Sequence, residues 1–322
     1  MKHFSLLLFA VLLTLNSNLV SGQGLENDQI YLADPTIFKD NDTYYLYGTK
    51  GDPRIKGEGF LVYTSKNLKD WSGPAGATEG YALIKGDAFG TKGFWAPQIF
   101  KHNNRYYMAY TADEHIAIAT SDSPLGPFRN DGKDLEAPVR QIDPFIFFDE
   151  GKPYLYHVRL QDGNRIFVAE MTSDLTAIKP ETLKECIYSE KDWEDTQKVE
   201  WTVAEGPTVF KHSGTYYLLY SANDYRNPDY AVGYATSKSP TGPWKKAKDS
   251  PIISLKNTGE NGSGHGDLII GTDGQLYYVF HTHLSSKEVH PRKSALTRLE
   301  FKGKKLFKKN EEVIWMKISG AE

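Results

Sequence analysis

The feature that most limits what this chain can fold into is a motif that returns five times. It begins with a small or acidic residue and a proline, continues with an apolar pair and a polar turn, and ends in paired tyrosines or similar aromatics. The copies span residues 33–49, 95–111, 142–158, 205–221 and 265–281, and their anchors Pro35, Pro97, Pro144, Pro207 and Asp267 return every 47 to 63 positions. The fifth copy has lost the proline. In each copy an apolar run, a turn rich in Asn, Asp, Gly and Lys, and an aromatic run predict a β-hairpin. Behind four of the hairpins, starting at Val62, Ala117, Val168 and Tyr234, a second pattern predicts a third strand, a turn and an outer fourth strand. One four-stranded antiparallel unit per copy predicts an all-β chain folded as a five-bladed β-propeller, with the first strand of every blade lining the axis.

That geometry makes neighbours of residues far apart in the chain. The positions just before the repeated proline gather at one end of the axis: Asp34, Ala96, Asp143, Gly206 with Glu205 before it, and Gly266 with His265 before it. Three carboxylates and a histidine converge, so the active site is expected there. A lone Asp-Pro is ordinarily a turn. Two at equivalent positions of a repeat, with a glutamate at a third, point to chemistry.

Residues 1–22 stand outside the repeat. Lys2 and His3 precede the apolar run Phe4–Leu15, and Val20-Ser21-Gly22 offers small residues for cleavage, so a secretory signal cut near Gln23 is expected, followed by one propeller domain over residues 23–322. The export implied is to the periplasm or the outside of the cell. The apolar run is short for a membrane span, and no later segment reaches the needed length. The single cysteine, Cys186, excludes an internal disulfide, and a formal charge of −3 argues against nucleic acid as a partner. The Lys-rich piece 301–309 reads as a solvated turn. A monomer is expected. Aromatic content of 13% is high; most of it suits blade packing, and some rings are free to stack on sugars.

Loops supply further expectations. Residues 51–59 are placed beside the site. The Gly-rich stretch 73–93 is read as the link into blade two, ending at Trp95, which is placed as an aromatic wall of the central pocket. Residues 189–200 are read as a surface excursion. His281 and His283, two apart on one strand, share a face and suggest a metal pair, though no third ligand follows at a recognisable spacing. The terminal runs 296–301 and 313–318 are read as completing blade five.

Carboxyl groups facing one another across a pocket are the equipment of glycoside hydrolysis, one protonated to release the leaving oxygen and one ionised to act as base or nucleophile. The motifs around Asp34 (LADPTIF), Asp143 (IDPFIF) and Glu205 (AEGPTVF), the FWAP at Trp95 and the GSGHGD at His265 resemble those of the family 43 glycoside hydrolases, a resemblance covering residues 32–301. It implies a five-bladed propeller and an inverting mechanism with Asp34 as general base, Glu205 as general acid and Asp143 as the residue that tunes and orients the acid. It further implies that His265 helps hold a hydrated cation, calcium in many members, although no cofactor is needed for the chemistry. Arg292 resembles an arginine aimed at substrate hydroxyls, and Trp95, His265 and Arg292 are therefore expected at the substrate.

The substrates implied are oligo- or polysaccharides of plant type carrying terminal α-L-arabinofuranose or β-D-xylose. Many xylosidase-like members carry a further C-terminal β-sandwich, and this sequence ends near the propeller pattern, which favours arabinofuranose. Endo-arabinanase action, galactose release, and a sugar-binding propeller without turnover are the alternatives. The set Asp34, Asp143 and Glu205 separates the last of these from an enzyme, because binding alone has no use for all three.

Overall fold

The structure is a computed structural model that describes residues 24–320; the expected leader and its cleavage site lie outside the described residues. Five antiparallel blades follow the five copies. Blade one comprises Leu32–Asp40, Thr43–Lys50, Tyr63–Ser65 and Asp70–Ser72; blade three Gln141–Asp149, Lys152–Leu160, Asn164–Glu170 and Lys184–Ile187; blade four Ala204–His212, Thr215–Ala222, Ala231–Ser237 and Lys245–Lys246. Blade five is built from Gly264–Ile270, Leu276–Thr282, Lys293–Lys302 and Lys305–Lys308. Blade two has three strands, Trp95–His102, Arg105–Ala112 and His115–Ser121, and only a single bridge, Thr120 to Arg129, where a fourth was expected. Pro124 and Pro127 remove backbone donors from that stretch. The Phe128 N–H turns instead to the carbonyl of Ala82, in a short extra strand, Tyr81–Ile84, that pairs with Gly59–Leu61 inside what the sequence presented as a plain link.

The first strands of successive blades touch one another in a closed cycle, one to five and back to one. The buried side chains fall into five clusters, one at each junction between blades. Each blade thus uses both faces, and burial at the junctions, at roughly 25 cal/mol per Å2 of apolar surface, is the main force holding blade to blade. Polar ties repeat with the same symmetry. Asp40 of blade one binds Lys101 and Tyr106 of blade two, and Asp149 of blade three binds Lys211 and Tyr216 of blade four. His102 stacks on Phe148 and His212 on Phe301, across the two following junctions.

A ring must also close. The terminal run does not simply complete blade five: Ile314–Trp315 pairs with its third strand, but Lys317–Ile318 crosses to add in parallel to Asp70–Trp71, the outer strand of blade one. Between them Met316 is fully buried in the cluster shared by blades five and one. The side-chain amide of Gln29, also buried, is offered to the carbonyls of Ile30, Ser294 and Met316 at 2.9–3.3 Å, tying the lead-in, blade five and the tail together. The excursion 189–200 is anchored as well. Glu194 is fully buried and accepts from Tyr220, Lys246 and two backbone amides, so this segment has a fixed path over blade four.

Replacing Gln29 by Ala removes this buried donor, while the carbonyls of Ile30, Ser294 and Met316 keep the backbone N–H groups of Ser294, Met316 and Ile30, and should cost about 0.5–1.5 kcal/mol of stability. Chemical denaturation is the measurement; a loss below about 0.5 kcal/mol, the range of ordinary surface changes, would show that strand pairing alone closes the ring.

Candidate active site

Each first strand is interrupted at the same place. The pairing register shifts between Ala33 and Thr36, Trp95 and Gln98, Ile142 and Phe145, Glu205 and Thr208, and Gly264 and Gly266. At each bulge one residue takes a left-handed conformation: Asp34 (φ 47°), Ala96 (44°), Asp143 (55°), Gly206 (61°) and His265 (41°). In blades one to four the bulge holds two residues, the second being the proline. In blade five it holds one, so the lost proline is a deletion, and His265 itself, not Gly266, occupies the ring position. Gly266 is a glycine for another reason: a Cβ there would lie 1.7 Å from the carbonyl oxygen of Val279.

A bulged residue loses its ladder bond, and its N–H must find another acceptor. The second strand of the preceding blade supplies it. The N–H of Ala96 donates to Thr49 Oγ1 at 2.9 Å, that of Asp143 to Thr111 Oγ1 at 2.9 Å and that of His265 to Ser221 Oγ at 2.8 Å, while that of Asp34 lies 3.1 Å from His281 Nδ1. In blade three the equivalent residue is Val158, which has nothing to offer. The Gly206 N–H donates instead to the carboxylate of Asp143, Oδ2, at 3.1 Å, which binds Asp143 to the backbone next to Glu205.

Two concentric sets of side chains result. The left-handed residues Asp34, Ala96, Asp143 and His265 line a small axial cavity, and the residues one position earlier, Ala33, Trp95, Ile142 and Glu205, line a larger pocket of about 580 Å3 above it. Asp34, Asp143 and His265 face both. The volume is in the range of small-molecule sites. Lys50, Asn164, Trp201, Tyr225, Arg226, His290 and Arg292 complete the walls. Trp95, Arg292 and the rim residue Gly51 are thus brought to the pocket as expected.

The three carboxyls have different surroundings. Asp34 Oδ2 accepts from Thr49 Oγ1 at 2.6 Å, and Oδ1 accepts from Arg292 at 3.2 Å with the Nδ1 atoms of His265 and His281 each at 3.3 Å. Burial alone would raise its pKa, but Arg292 and the two histidines outweigh burial and hold it well below the usual carboxylate range. Glu205 accepts from the Tyr230 hydroxyl at 2.8 Å and from Asn164 Nδ2 at 2.9 Å. Burial raises it against those two donors, the charges of Asp34 and Asp224 add to the effect, and it is pushed up to about 7. Asp143 is also raised, first by burial and then by Glu205 and Asp34. Burial thus raises Asp143 and Glu205 together, and their titration belongs to the pair, while Asp34 is held low.

Several partners were missed from sequence. Thr49, Asn164 and Tyr230 bind the carboxyls, yet each is an ordinary residue in its own strand or turn. Thr49 had one usable signal, its place opposite the ring in the repeat. The paired histidines do not form a metal pair. His281 Nε2 lies 3.2 Å from Arg292, with burial pushing this ring down to about 3, and His283 meets the Tyr225 carbonyl at 2.8 Å. Arg292 also packs over the Tyr225 ring at 4.5 Å.

The lower cavity encloses about 20 Å3, room for roughly one water molecule, so a hydrated calcium beside His265 would have to lie in the larger pocket, which His265 also lines. The lining of the lower cavity is already engaged: Asp267 accepts from Thr36 at 2.6 Å and from the Leu268 N–H at 2.7 Å, and the Gln98 amide bonds both to the N–H and to the carbonyl of Ile146. Six to eight oxygen ligands do not fit there. Among the described residues no group of three or more His, Cys, Asp or Glu side chains is disposed to hold a metal.

Comparison with known proteins gives this geometry a family. The chain is 41% identical to an endo-1,4-β-xylanase of Bacteroides thetaiotaomicron VPI-5482 of solved structure, with a TM-score of 0.83 over 91% of this chain and 98% of that one. It is 28% identical to a xylosidase/arabinosidase of Butyrivibrio fibrisolvens over 77% of this chain, and 25% identical to a non-reducing end α-L-arabinofuranosidase of Bacteroides ovatus over 76%. It spans about half the length of those last two relatives, 48% and 45%. Residues 29–306 match the model of the glycosyl hydrolases family 43, and the chain belongs to that family.

Proposed function

We propose that the chain is an inverting glycosidase that removes a terminal pentose, arabinofuranose first and xylose second, from plant-type oligo- or polysaccharides. The observation that carries this reading is the difference in surroundings among the carboxyls: Asp34 lies against the Arg292 guanidinium, and Glu205 is met only by the neutral donors Tyr230 and Asn164. Water held at Asp34 attacks the anomeric carbon, its proton passing to that carboxylate as the new C–O bond forms. The old C–O bond breaks with its electron pair going to the bridging oxygen, which takes the proton of Glu205. Inversion needs room for water between base and sugar, with carboxyls roughly 6.5–9.5 Å apart. Drawing the base from the inner set and the acid from the outer set, on non-adjacent blades, suits that demand. Asp143 is the tuner of Glu205. Arg292 NH1 is committed to Asp34 and His281, and its other donors, without a protein partner among the described residues, are free for sugar hydroxyls.

Names of relatives favour pentoses, and the 41% identity to an endo-1,4-β-xylanase supports a second reading, cleavage within a chain. A screen of nitrophenyl glycosides with arabinan, xylan and galactan oligosaccharides decides between terminal release, internal cleavage, galactose release and binding without turnover. Export to the periplasm or beyond, behind a leader ending near residue 22, and action as a monomeric single domain complete the proposal. Among the described residues no helix is long and apolar enough to cross a membrane.

Loss of the Asp34 carboxylate in Asp34→Ala should stop turnover of every substrate. Glu205→Ala should lose about 10²–10⁴-fold on natural glycosides and far less on nitrophenyl glycosides, whose leaving group needs little protonation. Equal losses on both kinds of substrate would remove Glu205 from the role of acid, and proton NMR showing the retained anomer first would remove Asp34 from the role of base.

The acid must be protonated, so kcat/KM should fall as pH rises through about 7, the value to which Glu205 is pushed. The lower limb, set by Asp34, should lie well below the usual carboxylate range. In Asp143→Asn the neighbouring charge is gone, Glu205 releases its proton more readily, and the upper limb should move to lower pH. An upper limb that stays in place or rises would show that Asp143 does not tune the acid.

No step here requires an ion. Exhaustive chelation should leave kcat/KM and Tm unchanged; a loss reversed by added calcium would restore His265 as a ligand reached through water.

A further inference from the structure

We infer that Trp201 forms the binding surface for the sugar on the leaving-group side of the cleaved bond and, through Asn164, fixes the carboxyl of Glu205 in the orientation that delivers its proton. The inference rests on the glycosidase reading above and goes beyond it in naming a subsite and a positioning pair.

The sequence contains six tryptophans. Among them only Trp95 and Trp201 are largely exposed, at 37% and 49%, and both line the pocket. An indole left half in water in an otherwise polar pocket is the kind of surface on which a sugar ring stacks. The two differ in what stands beside them. Trp95 lines a side pocket together with Thr49 and Lys50, and Thr49 is bonded to Asp34, the proposed base. Trp201 donates its indole N–H to Asn164 Oδ1 at 2.9 Å, and Asn164 donates from Nδ2 to Glu205 Oε2 at 2.9 Å. A general acid stands next to the oxygen it protonates, and the sugar beyond that oxygen is the one that leaves. The Trp201 ring, one residue removed from the acid, therefore flanks the departing sugar.

The relay also settles which way the Asn164 amide points. With the indole N–H on Oδ1, the NH2 group must face Glu205; the flipped amide would set donor against donor at Trp201 and acceptor against acceptor at the carboxylate. Trp201 thus keeps in place a donor that stabilises Glu205 as its negative charge develops. The segment bearing Trp201 does not depend on this bond for its course. Asn164 N–H donates to the Thr202 carbonyl at 2.8 Å, residues 164 and 203 form a parallel bridge, and Gly163 lies so close to the Thr202 carbonyl that a Cβ would meet it at 2.7 Å. Buried Glu194 fixes the same segment further back. Changes at the indole can be read without loss of the loop.

Three variants separate the two roles. Trp201→Phe keeps an aromatic face and drops the N–H, Asn164→Ala removes the amide donor, and Trp201→Ala removes both face and N–H. Glu205 is faced by Asp143, Asp34 and Asp224, by the donors Tyr230 and Asn164, and across the pocket by Arg292, with His265 packed against Gly206; of these only the Asn164 donor is altered. Its loss disfavours the ionised acid, so in Trp201→Phe and Asn164→Ala the upper limb of the pH profile should move to higher pH, opposite to its movement in Asp143→Asn. Trp201→Phe should keep KM for oligosaccharides near that of the wild type. Trp201→Ala should raise that KM about tenfold and lower by a similar factor the kcat/KM preference for an oligosaccharide over a glycosyl fluoride, which has no leaving sugar. Circular dichroism and melting of each variant confirm folding. An upper limb unmoved in Trp201→Phe overturns the positioning role of the indole, one unmoved in Asn164→Ala overturns that of the amide, and an equal loss on fluoride and oligosaccharide overturns the subsite. Should the wild type hydrolyse no glycan in the screen, the glycosidase reading falls by itself; oligosaccharide binding by calorimetry then decides the subsite, which stands only if Trp201→Ala weakens it about tenfold.

Discussion

The interaction on which the rest of this structure depends is the bond made by the N–H of each left-handed residue at the axis. The bulge that aims each of these side chains at the axis breaks the ladder, and the broken ladder leaves an amide in need of an acceptor. Here the preceding blade provides a hydroxyl or an imidazole, so the same bond that satisfies the amide also sets the spacing between blades. One exception makes the site. Because Val158 carries no acceptor, the amide of Gly206 takes the Asp143 carboxylate, and a repair to the backbone becomes the link between two of the three acidic residues.

The bulges also explain why Asp34 and Glu205, the proposed base and acid, occupy different depths. Asp34 and Asp143 are the left-handed residues of their blades, whereas Glu205 precedes its own, Gly206 having taken the strained position. Asp and Asn tolerate the left-handed region better than most residues, and glycine best. A glutamate at position 206 would meet the His265 ring, since even a Cβ there comes within 2.7 Å of it. Moved back one residue, the longer side chain rises into the pocket beside Asn164 and Tyr230, away from Arg292. Its only strong compensations are neutral donors, so burial dominates and the proton stays on near neutral pH. Asp34, with a guanidinium at 3.2 Å, meets the opposite condition.

Much of this was legible in the chain. The repeat carried the blade count and the convergence of Asp34, Asp143 and Glu205, because periodic strands and a proline at a bulge leave marks on sequence. The register of the fifth copy was misjudged by one residue, since a deletion inside a bulge looks like a substitution until the strand pairing is known. Thr49, Asn164 and Tyr230 escaped notice because their task is defined by a partner 15, 41 and 25 positions away, with no local pattern to announce it. The crossing of Lys317–Ile318 to blade one was equally invisible: a two-residue strand has the same composition whichever edge it joins.

The division between ring and loops bears on how the site can change. The inner residues are held by the backbone, and altering them disturbs an amide bond and a junction between blades at once. The outer walls come from elsewhere: Trp95 at the end of a long link, Trp201 on an excursion between blades three and four, Tyr225 and Arg226 in the turn after the second strand of blade four, His290 and Arg292 before the third strand of blade five. None of these caps a ring amide. Apart from Arg292, which is bonded to Asp34, and Trp201, which reaches Glu205 through Asn164, these wall residues can be substituted while the carboxyl geometry stays put, which suits a family whose members here range from xylosidase/arabinosidase to endo-arabinanase at 24–28% identity. Trp201 is the instructive case, because its N–H reaches the acid through Asn164. There, as at Arg292 on Asp34, a loop that lines the pocket is joined to a carboxyl, and on the proposed function a change in specificity carries a change in chemistry with it.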